Sequence, residues 1–164
     1  MNTQTPQARP PDLRSVMRLF PTGVAVLTSG SGAEAVATTV NSLISVTLAP
    51  PTVLVSLHET SRAGRIVDAT GGFCLSLLSG GQETHARLFA ASDKPRGEAL
   101  GPYFTTTPSG CLVLRGALGG LTCETTSVRQ EGDHRMYTGR VSATHLGDPA
   151  DGALLFHQGR MVTA

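Results

Sequence analysis

Leu43-Ile44-Ser45-Val46-Thr47-Leu48 and Thr52-Val53-Leu54-Val55-Ser56-Leu57 are two runs of apolar and β-branched residues divided by Ala49-Pro50-Pro51. Each run has the length of a strand, and its residue types suit a pleated surface. Proline has no amide to give a ladder, so the Pro50-Pro51 pair forces a break between them. The same signature recurs on both sides. Residues 23–29 and 35–40 flank Gly30-Ser31-Gly32 and read as a hairpin, and residues 73–78, 111–114, 120–128, 135–145 and 154–157 are further strand-like runs. Gly159-Arg160 then allows a last turn.

Helical patterns are brief. Asp12 can cap a helix whose Leu13, Val16, Met17 and Phe20 fall on one stripe; Pro21 stops it, and it is expected to cover a sheet edge or end. Thr60 or Ser61 opens a segment over residues 62–69 that Gly71-Gly72 ends, and another spans residues 83–91. Residues 92–110 contain Pro95, Pro102 and Pro108 without periodicity, and read as a long functional or mobile loop, a candidate lid. Many short strands with few short helices predict a mainly β fold, an antiparallel barrel with peripheral helices. One domain over residues 12–164 follows a flexible, proline-containing arm at residues 1–11.

Composition narrows the function classes. Of 164 residues, 40% are hydrophobic and only 15% charged, and thirteen Lys and Arg against twelve Asp and Glu leave a net charge of +1. No strong field is available to gather nucleic acid or an anionic membrane surface. No apolar stretch approaches the roughly 20 residues that cross a bilayer as a helix. Five Phe, two Tyr and no Trp make neither a base-stacking platform nor an aromatic cage for a flat ligand. Cys74, Cys111 and Cys123 lack metal or redox spacing and are expected to be free buried thiols, which suits a reducing compartment. Met1 to Pro11 has no apolar central region, so no secretory leader is expected and the cytoplasm is the default location.

Three segments place polar atoms where a strand-rich core would favour apolar ones. Thr38-Thr39-Val40-Asn41-Ser42 offers hydroxyls and an amide at a strand end, suited to a phosphate, a ribityl chain or a ring edge. Local composition alone favours a plain Thr-rich strand entering a turn there. His58-Glu59-Thr60-Ser61-Arg62 joins a strand to a helix start, where amides, a Ser hydroxyl and a guanidinium suit phosphate, although an ordinary N-cap with a solvated Arg fits equally. Gly132-Asp133-His134 pairs a turn glycine with a His that a carboxylate can orient, a weak signal by itself. No histidine has metal-ligand spacing, and GxSxG, P-loop and GxGxxG motifs are absent.

Taken in order, the segments resemble the short-chain flavin reductases, the small partners of two-component flavin-dependent monooxygenases. The resemblance rests on Met17-Arg18-Leu19-Phe20-Pro21-Thr22-Gly23-Val24, on Thr39-Val40-Asn41-Ser42-Leu43-Ile44-Ser45-Val46-Thr47-Leu48 with Pro50-Pro51, and on Thr60-Ser61-Arg62. It continues through Gly72-Phe73-Cys74-Leu75-Ser76-Leu77-Leu78, Phe89-Ala90, Gly116-Ala117-Leu118, Cys123-Glu124, Gly132-Asp133-His134 and Gly139-Arg140-Val141.

That resemblance implies an FMN-binding split barrel, a homodimer, and an NAD(P)H-dependent flavin reductase, NADH preferred. The reaction would pass hydride from nicotinamide C4 to N5 of FAD or FMN, with the two rings held within about 3 to 3.5 Å, and reduced flavin would diffuse to a partner monooxygenase. By the same resemblance Thr38, Thr39, Val40, Asn41 and Ser42 line the flavin ring and ribityl chain, with Ser56 and Leu57 beside the ring. Ser61 and Arg62 hold the phosphate, and Phe89, Ala90 and Lys94 close the far side. His134 faces the nicotinamide with Asp133 orienting it, and Thr22 and Gly23 lie near the same ring stack. No metal, nucleic acid or membrane is implied. Ala63 stands where the family often has Thr, and Met161 where an aromatic is usual. Two other readings fit a flavin site: a split-barrel oxidase of the pyridoxamine-phosphate type, and a non-catalytic flavin-binding protein.

Overall fold

Val24-Ala25-Val26-Leu27 is apolar at every position, the pattern of a strand buried on both faces. The computed structural model, which describes residues 12–148 and 152–164, places it so. In chain order the elements are α1 (Leu13–Met17), β1 (Thr22–Gly23), β2 (Ala25–Ser29), β3 (Val36–Val40), β4 (Ile44–Leu48), β5 (Pro51–His58) and α2 (Arg62–Thr70). They continue with β6 (Gly72–Leu77), α3 (Glu83–Ala90), β7 (Phe104–Thr106), β8 (Leu112–Leu114), β9 (Gly119–Glu131), β10 (His134–Leu146), β11 (Leu154–His157) and β12 (Arg160–Thr163). The arm expected at residues 1–11 lies outside the described residues.

Seven strands form the main sheet in the order β3-β2-β6-β9-β10-β5-β4, every neighbouring pair antiparallel. β3 and β5 meet without strand pairing, so the sheet curls into a barrel with one open seam. Ala25 and Leu27 enter an interior cluster with Val55, Phe73 and Leu75, while Val24 and Val26 face an outer cluster with Phe89, Leu100 and Phe104. Truncating a fully buried leucine such as Leu75 to alanine costs about 2 to 5 kcal/mol in such a setting. The long β9–β10 hairpin turns at Gly132, whose φ of +58° suits glycine, and carries Asp133 and His134 at its tip.

Three expectations need correction. Helix α1 is capped by Asp12, whose Oδ1 accepts from the Ser15 amide at 3.1 Å, but it covers no sheet edge: Leu13, Val16 and Met17 are all exposed. Residues 92–110 do not form a free lid. Leu100 and Phe104 are buried in the outer cluster, and the Arg115 guanidinium donates to the Phe104 carbonyl at 2.7 Å, so the segment is pinned by packing that has no sequence period. The turn expected at Gly159-Arg160 is present at Gln158-Gly159, with Gly159 at φ of +78°, and it leads into β12, paired with β11. Finally, Cys74 and Cys111 are paired as a disulfide with Cα atoms 6.0 Å apart, leaving Cys123 as the free buried thiol. β8 lies across β2 and β6, where the Leu114 amide donates to Ser76 Oγ at 2.9 Å and Thr28 Oγ1 to the Leu112 carbonyl at 2.7 Å; that crossing brings the two cysteines together.

Candidate functional site

The end of β5 and the start of α2 make a fixed corner. Ser61 Oγ caps α2 by accepting from the Gly64 amide at 3.4 Å, the Ser61 amide donates to the His58 carbonyl at 2.8 Å, and the Glu59 amide donates to the Asp133 carbonyl at 2.9 Å. Gly71, in the left-handed region, closes the other end of the helix. The first turn of α2 carries no acidic side chain, so its partial positive charge is left for another anion.

Beside this corner is a cavity of about 280 Å³ lined by Thr38, Ser61, Arg62, Ser92, Lys94 and Arg96, with no carboxylate in its wall. Lys94, the only lysine in the chain, is half-buried and anchored: its Nζ donates to Thr38 Oγ1 and to the Phe89 carbonyl, both at 3.1 Å. Burial holds its ammonium below the ordinary lysine value. Three cations, three hydroxyls and a helix start around one cavity can bind a phosphate monoester or diester. They match the phosphate end of a flavin nucleotide in charge and donor type.

The other sequence-predicted residues divide by where their side chains go. Ser42 is brought to Ser56, its Oγ donating to the Ser56 carbonyl at 2.8 Å and accepting from the Ser56 amide at 3.1 Å, which ties the chain after β3 to β5. Asn41 is exposed next to that clamp. Thr39 Oγ1 turns away to the Ala86 carbonyl at 2.7 Å and holds α3. Val40, Leu57 and Phe89 are core side chains, which leaves their backbones to meet a ligand, whereas Ala90 is exposed. Ala63 is buried on the cavity wall, and Met161 packs against the outer cluster.

At the hairpin tip, His134 Nδ1 and Asp133 Oδ1 are 2.7 Å apart, and His58 Nε2 approaches Asp133 Oδ2 at 3.7 Å. The hydrogen bond from His134 holds the Asp133 carboxyl below the usual carboxylate range. With Nδ1 engaged, His134 Nε2 is the nitrogen available to a ligand. Thr22 and Gly23 are not with it: they stand on the small β1-β11-β12 sheet, and Gly23 lines a separate apolar cavity with Leu43, Leu77 and Leu154. Two members of the site escaped sequence reasoning. Arg96 lies in an aperiodic loop, and His58 sat in a segment chosen for its phosphate donors. The clue for His58 was its place at a strand end, three residues before the cap.

The flavin reductase-like domain pattern matches residues 17–164. The chain belongs to that family. It is 39% identical to the NADH-dependent FMN reductase AsuE2 of Streptomyces nodosus subsp. asukaensis, over 93% of this chain and 83% of that one. It is 37% identical to an NADH-dependent FAD reductase of Streptomyces globisporus, over 90% of this chain and 82% of that one. The solved structure of the Streptomyces globisporus NADH:FAD oxidoreductase SgcE6 in complex with NAD and FAD fragments superposes with a TM-score of 0.84 at 32% identity, covering 93% of this chain and 90% of that one. The resemblance read from the ordered motifs is therefore borne out, and the open-seamed barrel is the split barrel expected of this flavin reductase family.

Proposed function

We infer that the protein is an NADH-dependent flavin reductase that reduces FMN or FAD and supplies the reduced flavin to a monooxygenase. The observation that carries this is the carboxylate-free cavity of Ser61, Arg62 and Lys94 at the start of α2, in a chain that matches the family along its length. The nicotinamide supplies hydride and the flavin N5 accepts it; the protein's task is to align the two rings and to hold charge at their phosphates. Ser61 Oγ and the Arg62 guanidinium grip the flavin phosphate, with Lys94 adding charge from the far side. The backbone and small polar side chains of residues 38–42, fixed to Ser56, receive the ribityl chain and ring. His134, oriented by Asp133, positions the nicotinamide carboxamide or a neighbouring phosphate.

The protein acts as a homodimer of a single domain over residues 12–164. Supporting this, edge strand β4 is exposed throughout, including Ile44, Val46 and Leu48, the last 86% exposed, and it borders an apolar cavity lined by Leu43, Leu77, Leu121 and Val141. An apolar, β-branched edge strand open to water invites strand pairing unless it is covered. A second copy would also supply the Thr22–Gly23 surface that stands apart from His134 in one chain. Cytoplasmic location accords with the activity, and no helix among the described residues is long and apolar enough to cross a membrane. Steady-state oxidation of NADH and NADPH against riboflavin, FMN and FAD tests the reading. Many turnovers per enzyme with excess flavin and NADH are expected, and absence of NADH consumption with every flavin refutes it.

A further inference from the structure

The phosphate cavity does not end at Arg96. A larger cavity of about 550 Å³ adjoins it, lined by Glu34, Val36, Arg62, Arg65, Ile66 and Arg96, and shares Val36, Arg62 and Arg96 with the first. Three guanidinium groups here face one carboxylate, Glu34. None of the three side chains has an ion-pair or hydrogen-bond partner among the described residues. Arg62 and Arg65 are three residues apart and share a face of α2. Arg96 comes from a fixed wall: the Gly97 amide donates to the Ala35 carbonyl at 2.8 Å, and Gly97 has φ of +58°. A Cβ at Gly97 would lie 2.9 Å from the Ala33 carbonyl oxygen, so only glycine lets this segment close on the 3₁₀ turn Gly32–Glu34.

We propose that this second cavity seats the outer phosphate and the adenosine of a flavin dinucleotide, so that Arg65, with Arg62 and Arg96, selects FAD over FMN. The inference rests on the reductase reading above and deepens it, since the similar chains named above include both an FMN and an FAD reductase. A pyrophosphate laid across the shared Arg62 and Arg96 turns one phosphate toward Lys94 and Ser61 and the other toward Arg65. Bidentate guanidinium contacts suit that geometry. Glu34 accepts from ribose hydroxyls or the adenine amino group, and a guanidinium plane can stack on adenine where the site has no aromatic ring.

NADH carries the same adenylate chemistry, so the experiment needs an arm for each source. Fluorescence titrations give Kd for FAD and FMN with the wild-type protein, Arg65→Ala and Arg65→Lys; the KM for NADH is measured with FMN as acceptor. The wild type is expected to bind FAD more tightly than FMN. Arg65→Ala should reduce that preference by about tenfold, the loss of a charge-assisted contact, and Arg65→Lys should restore part of it. A wild-type Kd for FMN equal to or below that for FAD overturns the proposal, as does an Arg65→Ala protein with an unchanged ratio. A raised KM for NADH in FMN assays with the ratio intact also overturns it, assigning the cavity to the nicotinamide dinucleotide. If the wild type oxidises NADH with neither flavin, the reductase reading fails separately, and the Kd ratio still reports on the cavity.

Discussion

Replacing Arg62 by alanine removes a guanidinium from the start of α2 without opening the core, because the side chain is exposed and has no partner among the described residues. A hydrogen bond to a charged group contributes about 1.5 to 3 kcal/mol. The lower end applies here: Arg62 is solvent-screened, and Lys94 and Arg96 remain on the same cavity wall. About 1.5 kcal/mol corresponds to a roughly tenfold rise in the FMN Kd. Riboflavin, which has the ring and ribityl chain but no phosphate, should bind both proteins alike, so the FMN-to-riboflavin affinity ratio isolates the phosphate contact from any distortion of the ring site. Salt adds an independent check. Screening over about 8 Å at physiological ionic strength weakens the wild-type interaction, and the FMN affinity of the variant should depend less steeply on salt. Fluorescence quenching gives all four constants. An FMN-to-riboflavin ratio unchanged in Arg62→Ala would refute the assignment of the α2 corner to the flavin phosphate.

Four further outcomes are expected. His134→Ala should raise the KM for NADH strongly while flavin Kd stays within about twofold, and Asp133→Asn should show a weaker form of the same effect because the imidazole loses its orienting carboxylate; unchanged NADH kinetics in both would remove the tip from the site. Burial holds Lys94 below the ordinary lysine value, so raising the pH removes its positive charge earlier than for a solvated lysine: FMN affinity should fall as pH rises toward about 10, and Lys94→Met should flatten that part of the profile. Gly139→Ala would place a Cβ 2.5 Å from Phe73 Cζ and 3.0 Å from Cys123 Cβ inside the barrel, and should cost about 1 to 3 kcal/mol, read as a lower urea midpoint. Leu48→Asp puts a charge on an 86% exposed position of β4, so sedimentation should show a monomer with an intact far-UV spectrum; a persisting dimer would move the interface elsewhere.

Strand positions were legible in the sequence because runs of apolar and β-branched residues bounded by Gly and Pro mark them. β2, β5, β6 and β10 fall close to the runs that predict them, and the cap at Ser61 and the stop at Gly71 follow from local chemistry. What periodicity reports is a neighbour's polarity, not its identity. The exposed stripes of α1 and β4 carry the same pattern as buried ones, so sequence assigned α1 to a sheet edge or end, whereas α1 buries none of its side chains. Cys74 and Cys111 meet only because β8 crosses β6, and Leu100 and Phe104 anchor their loop through tertiary contacts without a repeat.

The charge balance shows the same limit from another side. A net charge of +1 argued against any strong field, and for the whole surface it does. Yet Arg62, Arg65, Lys94 and Arg96, four of thirteen basic side chains, converge on two adjoining cavities whose only carboxylate is Glu34. They come from two segments far apart in the chain, α2 and the stretch after α3, which the barrel brings side by side. A sum over the sequence cannot register this, because the compensating acids lie elsewhere: Asp68 is paired with Arg135, Glu83 with Arg87, and Asp133 with histidines. Arg62, Arg65 and Arg96 form no ion pair among the described residues, and it is their convergence on one cavity wall that suits an anionic ligand.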